Sequence, residues 1–565
     1  MPPALTPSST LRQRILLGLL LAAALPYLIG LGDSTIWDAN EAYYAQTPRE
    51  MLESGDYISP TFNYEPRVKK PVLSYWTVAG VYRLLGVSEF AERVPIALSG
   101  LVMIATAFAL GYLARSSEAG LVAAIVLATM PRMLMFSRRI LIDVQMATFA
   151  GLTLLGFALA EARPAHRRRY LLLMYVAAGL GMLTKGPIAV VMPALAFGAY
   201  LALERRLRDL RHMMLPTGAL IVVGLVVPWY VLVYVRDGWG PLLTFFVDHN
   251  LNRFAETIGV VERGPWFYLP VMLGDAFPWS LLLPLALGLG VTQWFSGSAA
   301  DDAGTETSRR VTKLLLLWVA AIVGFFSLAA HKQDLYILPV VPAEAALIGV
   351  LVMSSIESDA SRWTGRWVRG ALLATGLLVA LAGAALLGLV VVPGYYPLAG
   401  IAPAAAILIA GGVALALLVR RRALWAGVVS LGITGTLVSY GFVLITLPDF
   451  ERYKPVRPLA AKIESLASSE AVIGYYKFAM PSMVFYLQRP ILELVGPEQL
   501  QHAFASDSDV YMLMTETDYR TVRQSLPVPT YVLASRPLMD VKPRNFLTGD
   551  ALPQVLLVSN RPARP

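Results

Sequence analysis

The stretch ALLATGLLVALAGAALLGLVVV, Ala371–Val392, carries no charged residue. Wound as a helix at about 1.5 Å per residue, it crosses the roughly 30 Å of a bilayer's hydrocarbon. Comparable apolar runs recur at Ile15–Leu31, Met146–Ala160, Ile221–Val235, Leu314–Ala330, Ile401–Val419 and Val428–Leu447. They are continuous, not alternating, and so read as helices rather than barrel strands. Composition agrees: of 565 residues 56% are hydrophobic and only 15% charged, with mean hydropathy +0.59. The chain is therefore an α-helical polytopic membrane protein. Its first run follows Arg12 and Arg14. That run is longer than a signal-peptide core and has no clear cleavage site, so it reads as an anchor.

A net charge of +9 would suggest nucleic acid in a soluble protein, but here the charge marks topology. Basic clusters fall between the apolar runs at Arg163–Arg169, Arg205–Arg211, Arg309–Lys313, Arg362–Arg369 and Arg420–Arg422. Placing these and the N-terminus in the cytoplasm predicts about thirteen helices and an extracytoplasmic C-terminus. The expected division is a membrane domain over residues 1–448, with a first outer loop at 33–90 bearing interfacial helices, and an outer domain over 449–565. In the latter, strand-length runs at Ala471–Tyr476, Ile491–Val495, Val510–Met514, Thr530–Ala534 and Val555–Ser559 alternate with helical patterns such as RPLAAKIESLA and GPEQLQHAF. That alternation predicts a small α/β domain, either a packing module or part of a site. The chain has no cysteine, hence no disulfide, and no P-loop or dinucleotide glycine fingerprint. Glycines such as those of LAGAALLG, Leu381–Gly388, serve helix packing.

Charges that break the topological rule point to a site. Lys69 and Lys70, Arg138 and Arg139, Lys185, and Lys332 fall in outer loops, where basic residues are sparse. Together they could hold a phosphate at membrane depth, because ammonium and guanidinium groups offer several donors to phosphate oxygens. Snorkelling to lipid phosphates accounts for one or two of them, but less well for four loops. Carboxylates share the same side: Asp38 and Glu41 in IWDANEAYYAQTPREML, then Asp143, and Asp248 beside His249. Such groups can act as a general base, orient an amino sugar or hold a divalent metal. No tight ligand spacing such as HExxH is present. Asp143 has a second reading, an ion pair to Arg138 or Arg139 at a helix start. Tyr43, Tyr44, Tyr57, Phe62, Tyr64, Tyr75 and Trp76 read as an interfacial belt or, if they face the pocket, as sugar-stacking rings.

KKPVLSYW (Lys69–Trp76), TKGP (Thr184–Pro187), DHNLNRF (Asp248–Phe254) and HKQDLYILP (His331–Pro339), following an acidic first loop, resemble the GT-C glycosyltransferases. The pattern is similar to their protein mannosyltransferase-like branch, and within it to the bacterial aminoarabinose transferases that modify lipid A. The resemblance implies movement of 4-amino-4-deoxy-L-arabinose from undecaprenyl phosphate to a lipid A phosphate on the periplasmic face of the inner membrane, conferring polymyxin resistance. It implies phosphate contacts from Lys70, Lys185, Arg253, Lys332 and Tyr336, which Arg139 joins by its place among the outer charges. It implies roles for Glu41 and Asp143 as base or acceptor-orienting groups. Relatives carry Asp-Glu where this chain has Asn40-Glu41, so the usual base is an amide. Either Asp38 takes that role, or an acceptor that is already an anion needs little base. No cofactor is obligatory in this reading, a divalent metal is optional, and the expected partners are the lipid-linked donor, lipid A and membrane lipids. Nucleic acid is excluded and a monomer is expected. A related transferase acting on protein or glycan is the main rival. A transporter would require mid-membrane charge and inverted repeats, which the sequence does not show.

Overall fold

The computed structural model describes residues 8–252, 262–295, 303–357, 364–391, 398–538 and 552–562. Among these, eight helices are long and apolar enough to cross a membrane, or nine if the bent pair Ser117–Ala128 and Pro131–Ser137 forms one span. Ile188–Leu203 and Leu282–Phe295 are apolar but shorter. Length and composition therefore give fewer spans than the expected thirteen. Helix contacts are close where side chains vanish. A Cβ on Gly349 would lie 2.4 Å from the Ala119 carbonyl oxygen, and one on Gly383 would lie 2.7 Å from that of Ala405. Gly383 of LAGAALLG thus acts in packing, as expected, while Gly388 meets nothing.

The loops sort into two ends of the bundle. Helix Ile142–Ala162 starts with Asp143 and finishes with Glu161, so these two carboxylates lie roughly 27 Å apart along one axis. Glu161 gathers Arg167 and Arg206, and Lys313 pairs with Glu204. Three of the predicted cytoplasmic clusters are thus neighbours in space. Asp143, by contrast, faces the first loop and the loops after Pro131–Ser137, Arg167–Lys185 and Ala303–Leu328.

The C-terminal strands form where the alternating pattern places them. A two-stranded ladder in the first loop supplies β1 (Thr61–Phe62) and β2 (Glu65–Pro66). Then come β3 (Val472–Tyr476), β4 (Leu492–Leu494), β5 (Val510–Thr515), β6 (Tyr531–Pro537) and β7 (Gln554–Ser559), in the sheet order β4-β3-β5-β7-β6. Helices Val456–Leu466 and Pro497–Phe504 flank it. β3 runs parallel to β4 and β5, whereas β7 is antiparallel to β5 and β6. The expected boundary at 448/449 falls inside a helical run from Leu424 to Tyr453. The α/β unit itself starts at Val456.

Of the two first-loop helices, Leu73–Leu85 keeps Trp76, Leu84 and Leu85 exposed. In Asn40–Ser54 the residues Glu41, Ala42 and Ala45–Met51 are buried, because helix Leu73–Leu85 packs on one side and the C-terminal domain on another. Its aromatics follow: Tyr75 is fully buried under Tyr44 at 5.3 Å, and Tyr43 meets the edge of Phe62 at 4.7 Å. Most of the expected interfacial belt is internal packing, with Tyr64 and Trp76 left exposed.

Candidate active site

Glu41 is the most enclosed of the predicted carboxylates. It accepts hydrogen bonds from Arg93 Nε at 2.8 Å and Nη2 at 3.1 Å, from the Trp37 amide at 2.7 Å and from the Ile140 amide at 3.2 Å. Arg93 is itself saturated by the carbonyls of Leu31, Ser34 and Thr35. Burial pushes the Glu41 carboxyl up, but the Arg93 charge and these donors outweigh it and hold the group below the usual range. A carboxylate so engaged is a poor proton acceptor. It fixes the first loop against helix Glu89–Ala114 and the turn at Ile140.

Asp38 and Asn40 differ: both are exposed. Each Asp38 oxygen accepts one bond from Ser482 of the C-terminal domain, from its amide and its hydroxyl, both at 2.7 Å. Protein crowding pushes the Asp38 carboxyl up to about 6, against Ser482 and the charge of Lys454. Because water still reaches the group, that upward push is weaker than in a closed core.

Asp143 pairs with Lys185. The expected ion pair to Arg138 or Arg139 is therefore corrected: the partner comes from the TKGP turn. Lys185, which the resemblance places at a phosphate, has its ammonium on Asp143 and 5.1 Å from the centre of the Tyr336 ring. Arg138 is a backbone clamp, donating to the carbonyls of Pro26, Ile29 and Gly30. Arg139 has no carboxylate or carbonyl partner among the described residues. Its guanidinium rests by the rings of Phe136 and Trp37 at 5.4 and 5.8 Å, and its buried Nε has no acceptor. Lys332 is buried at 6% exposure and donates to one carbonyl, that of Ala329. Lys70 is half-buried at the entry to helix Leu73–Leu85. Arg253 lies outside the described residues, as does the His249 side chain. Asp248 is exposed, bonded to Asn252. No group of three potential metal ligands is gathered among the described residues.

Sequence reading missed Arg93, Arg132 and Asp275. Arg132 bridges Asp275 and Asp334, whose chain positions are 143 and 202 residues away. Asp334 stood inside the quoted HKQDLYILP, and the acid-base pair Glu92-Arg93 at the head of an apolar helix was the visible signal for the other. Two grooves of about 640 Å³ lie elsewhere, one on the C-terminal domain beside Tyr519 and Tyr531, the other between helices Ser9–Ala24, Ile401–Arg420 and Leu424–Gly441. Neither is lined by a predicted site residue.

The architecture can be placed among known folds. Over 96% of this chain and 98% of the other, it superposes with TM-score 0.76 and 21% identity on ArnT from Cupriavidus metallidurans, a structure bound to undecaprenyl phosphate. Residues 69–232 match the family described as dolichyl-phosphate-mannose-protein mannosyltransferase. The chain thus shares the fold of ArnT. In sequence it is similar to the undecaprenyl phosphate-alpha-4-amino-4-deoxy-L-arabinose arabinosyl transferase of Pseudomonas paraeruginosa, 32% identical over 373 residues, 64% of each chain. A second transferase of that name from Pseudomonas fluorescens is 29% identical over 360 residues, 63% of this chain and 59% of that one. The match thus spans less than two thirds of these relatives' length.

Proposed function

We infer that this GT-C protein transfers 4-amino-4-deoxy-L-arabinose from undecaprenyl phosphate to a phosphate of lipid A, at the periplasmic face of the inner membrane. The observation that carries the reading is the gathering of Arg139, Lys332, Lys185 and Arg132 at the end of the bundle that also holds Asp38, Asp143 and Tyr336. The similarity to the two transferases supports the choice of sugar and carrier. The acceptor phosphate oxygen forms a bond to the anomeric carbon. The bond from that carbon to the undecaprenyl phosphate oxygen breaks, and the electron pair leaves with the phosphate. One phosphate monoester becomes a diester while another diester becomes a monoester, so the step needs no net proton removal. An amide at Asn40 fits that balance, because no strong base is required. Arg139 and Lys332 stabilise the charge that grows on the leaving phosphate. Lys70, Tyr336 and Arg253 join them on the ground of resemblance, and Asp143 sets the position of Lys185. Removal of anionic charge from lipid A is what would protect a cell from cationic peptides such as polymyxin.

The match to a protein mannosyltransferase family sustains one second reading, transfer to a protein or glycan hydroxyl. There a base is needed, and Asp38 or Asp143 must supply it. Purified protein in proteoliposomes, supplied with the aminoarabinose donor and lipid A, separates the two. Formation of pentosamine-bearing lipid A is expected. Donor consumed only when a peptide or glycan is added would overturn the lipid reading. Chelator added to the same assay reads any dependence on a divalent metal.

A further inference from the structure

The C-terminal domain and the helix end that leads into it hold the first loop residue by residue. The Thr35 amide donates to Glu451 at 3.0 Å, and its carbonyl accepts from Lys454 at 2.8 Å. The Ile36 amide donates to the Tyr486 hydroxyl at 3.0 Å. The Trp37 ring stacks on Phe450 at 5.3 Å, with the Lys454 ammonium 3.8 Å from its centre. Arg49 donates to the Phe485 carbonyl at 2.9 Å, and Asn63 exchanges two bonds of 2.8 Å with Ile491. At the end of this seam stands Asp38, gripped on both oxygens by one residue, Ser482, whose side chain is fully buried.

Two donors from one residue fix both the position and the rotation of a carboxylate, since a single bond would leave it free to swing. Each Asp38 oxygen keeps a further lone-pair direction, and the residue stays open to solvent. Glu41, three positions on, has neither property. We propose that Ser482 is a positioning residue that sets Asp38 to orient the amino sugar, rather than to act as a base, in the transfer reaction, making the C-terminal domain an integral wall of the active site. This rests on the first loop being part of a sugar-transfer site. The groups that face Asp38 are Lys454, Glu41, Tyr43 and Tyr475, and among the described residues none forms an ion pair with it. Its geometry therefore depends on Ser482.

Two measurements on the full-length protein in detergent or proteoliposomes decide the matter. In the transfer assay Ser482→Ala should lower kcat by about ten- to a hundredfold with little change in KM for the donor, the signature of a displaced group. Ser482→Thr, which keeps both donors, should restore it. In an Asp38→Ala background Ser482→Ala should cost nothing more, whereas a merely structural role would give losses that multiply. The second measurement needs no substrate: hydrogen exchange across residues 33–44 should accelerate in Ser482→Ala and stay slow in Ser482→Thr. Unchanged exchange with Ser482→Ala, or multiplying losses in the double variant, would overturn the proposal. If the wild-type protein moves no sugar to lipid A, the functional reading fails and the exchange result alone decides the clamp.

Discussion

The two ends of the helical bundle carry similar charges and use them differently. At the end marked by Glu161, arginines pair with carboxylates and stop there: Arg167 and Arg206 on Glu161, Arg206 again on Asp209, Lys313 on Glu204. At the end marked by Asp143, some cations are spent on structure and others are left over. Arg93 and Arg138 tie loops down, Lys185 sits on Asp143 and Arg132 on two aspartates, but among the described residues Arg139 meets ring faces and Lys332 one carbonyl. Buried cations without counter-charge are costly to hold, so a protein keeps them where an anion will come. On the proposed function, the contrast separates charge that marks topology from charge that meets the phosphate.

The largest expected loss comes from breaking the scaffold at the Asp143 end. Arg93→Ala leaves Glu41 buried without its partner and should cost about 3–5 kcal/mol, read as a large fall in the thermal unfolding midpoint in detergent. Removing the spare cations should leave that midpoint near wild type. Arg139→Ala and Lys332→Ala are each expected to lower turnover by about 10²–10³-fold, a loss of transition-state stabilisation measured in the transfer assay. Asp143→Asn and Lys185→Ala share one interaction, and their effects on turnover should be non-additive by about 0.5–3 kcal/mol. At the other end, Arg206→Ala leaves Glu161 with Arg167 as partner and is expected to lower the unfolding midpoint less than Arg93→Ala and to spare turnover. A turnover defect there equal to that of Arg139→Ala would erase the contrast between the ends.

The smallest effect is a pH signature. The Asp38 carboxyl, raised to about 6 in the folded protein, retains a proton that the unfolded chain releases near pH 4. Its stabilising contribution is therefore full below about pH 4 and lost as pH rises through about 6. Asp38→Asn should match the wild-type midpoint at low pH and exceed it slightly at pH 7. Turnover that needs the Asp38 anion should fall as pH drops through about 6.

Much of the fold is written in period and length. Six of the seven apolar runs coincide with spans, whereas Ile15–Leu31 meets the 16-residue helix Ser9–Ala24, and the five short runs from Ala471 on became β3 to β7, with β6 ending three residues later than expected. Span number was less legible because several helices, such as Ile188–Leu203, fall short of a full crossing. For the site, the loops that break the positive-inside pattern were legible, and the structure brings them to one end. Partners were not. Nothing local tells that Arg132 meets Asp334 across 202 positions, or that Ser482 reaches Asp38 across 444. The aromatic density in the first loop is hard to read for a related reason: nothing local tells that Tyr44 and Tyr75 pack beside Met51, Leu183 and Trp229.

The proposed transfer of a cationic pentose to lipid A is tested by intact-mass analysis of lipid A from cells with and without the protein. A pentosamine addition present with the protein and missing in the deletion is the predicted result. Lipid A of identical mass in both strains would contradict it.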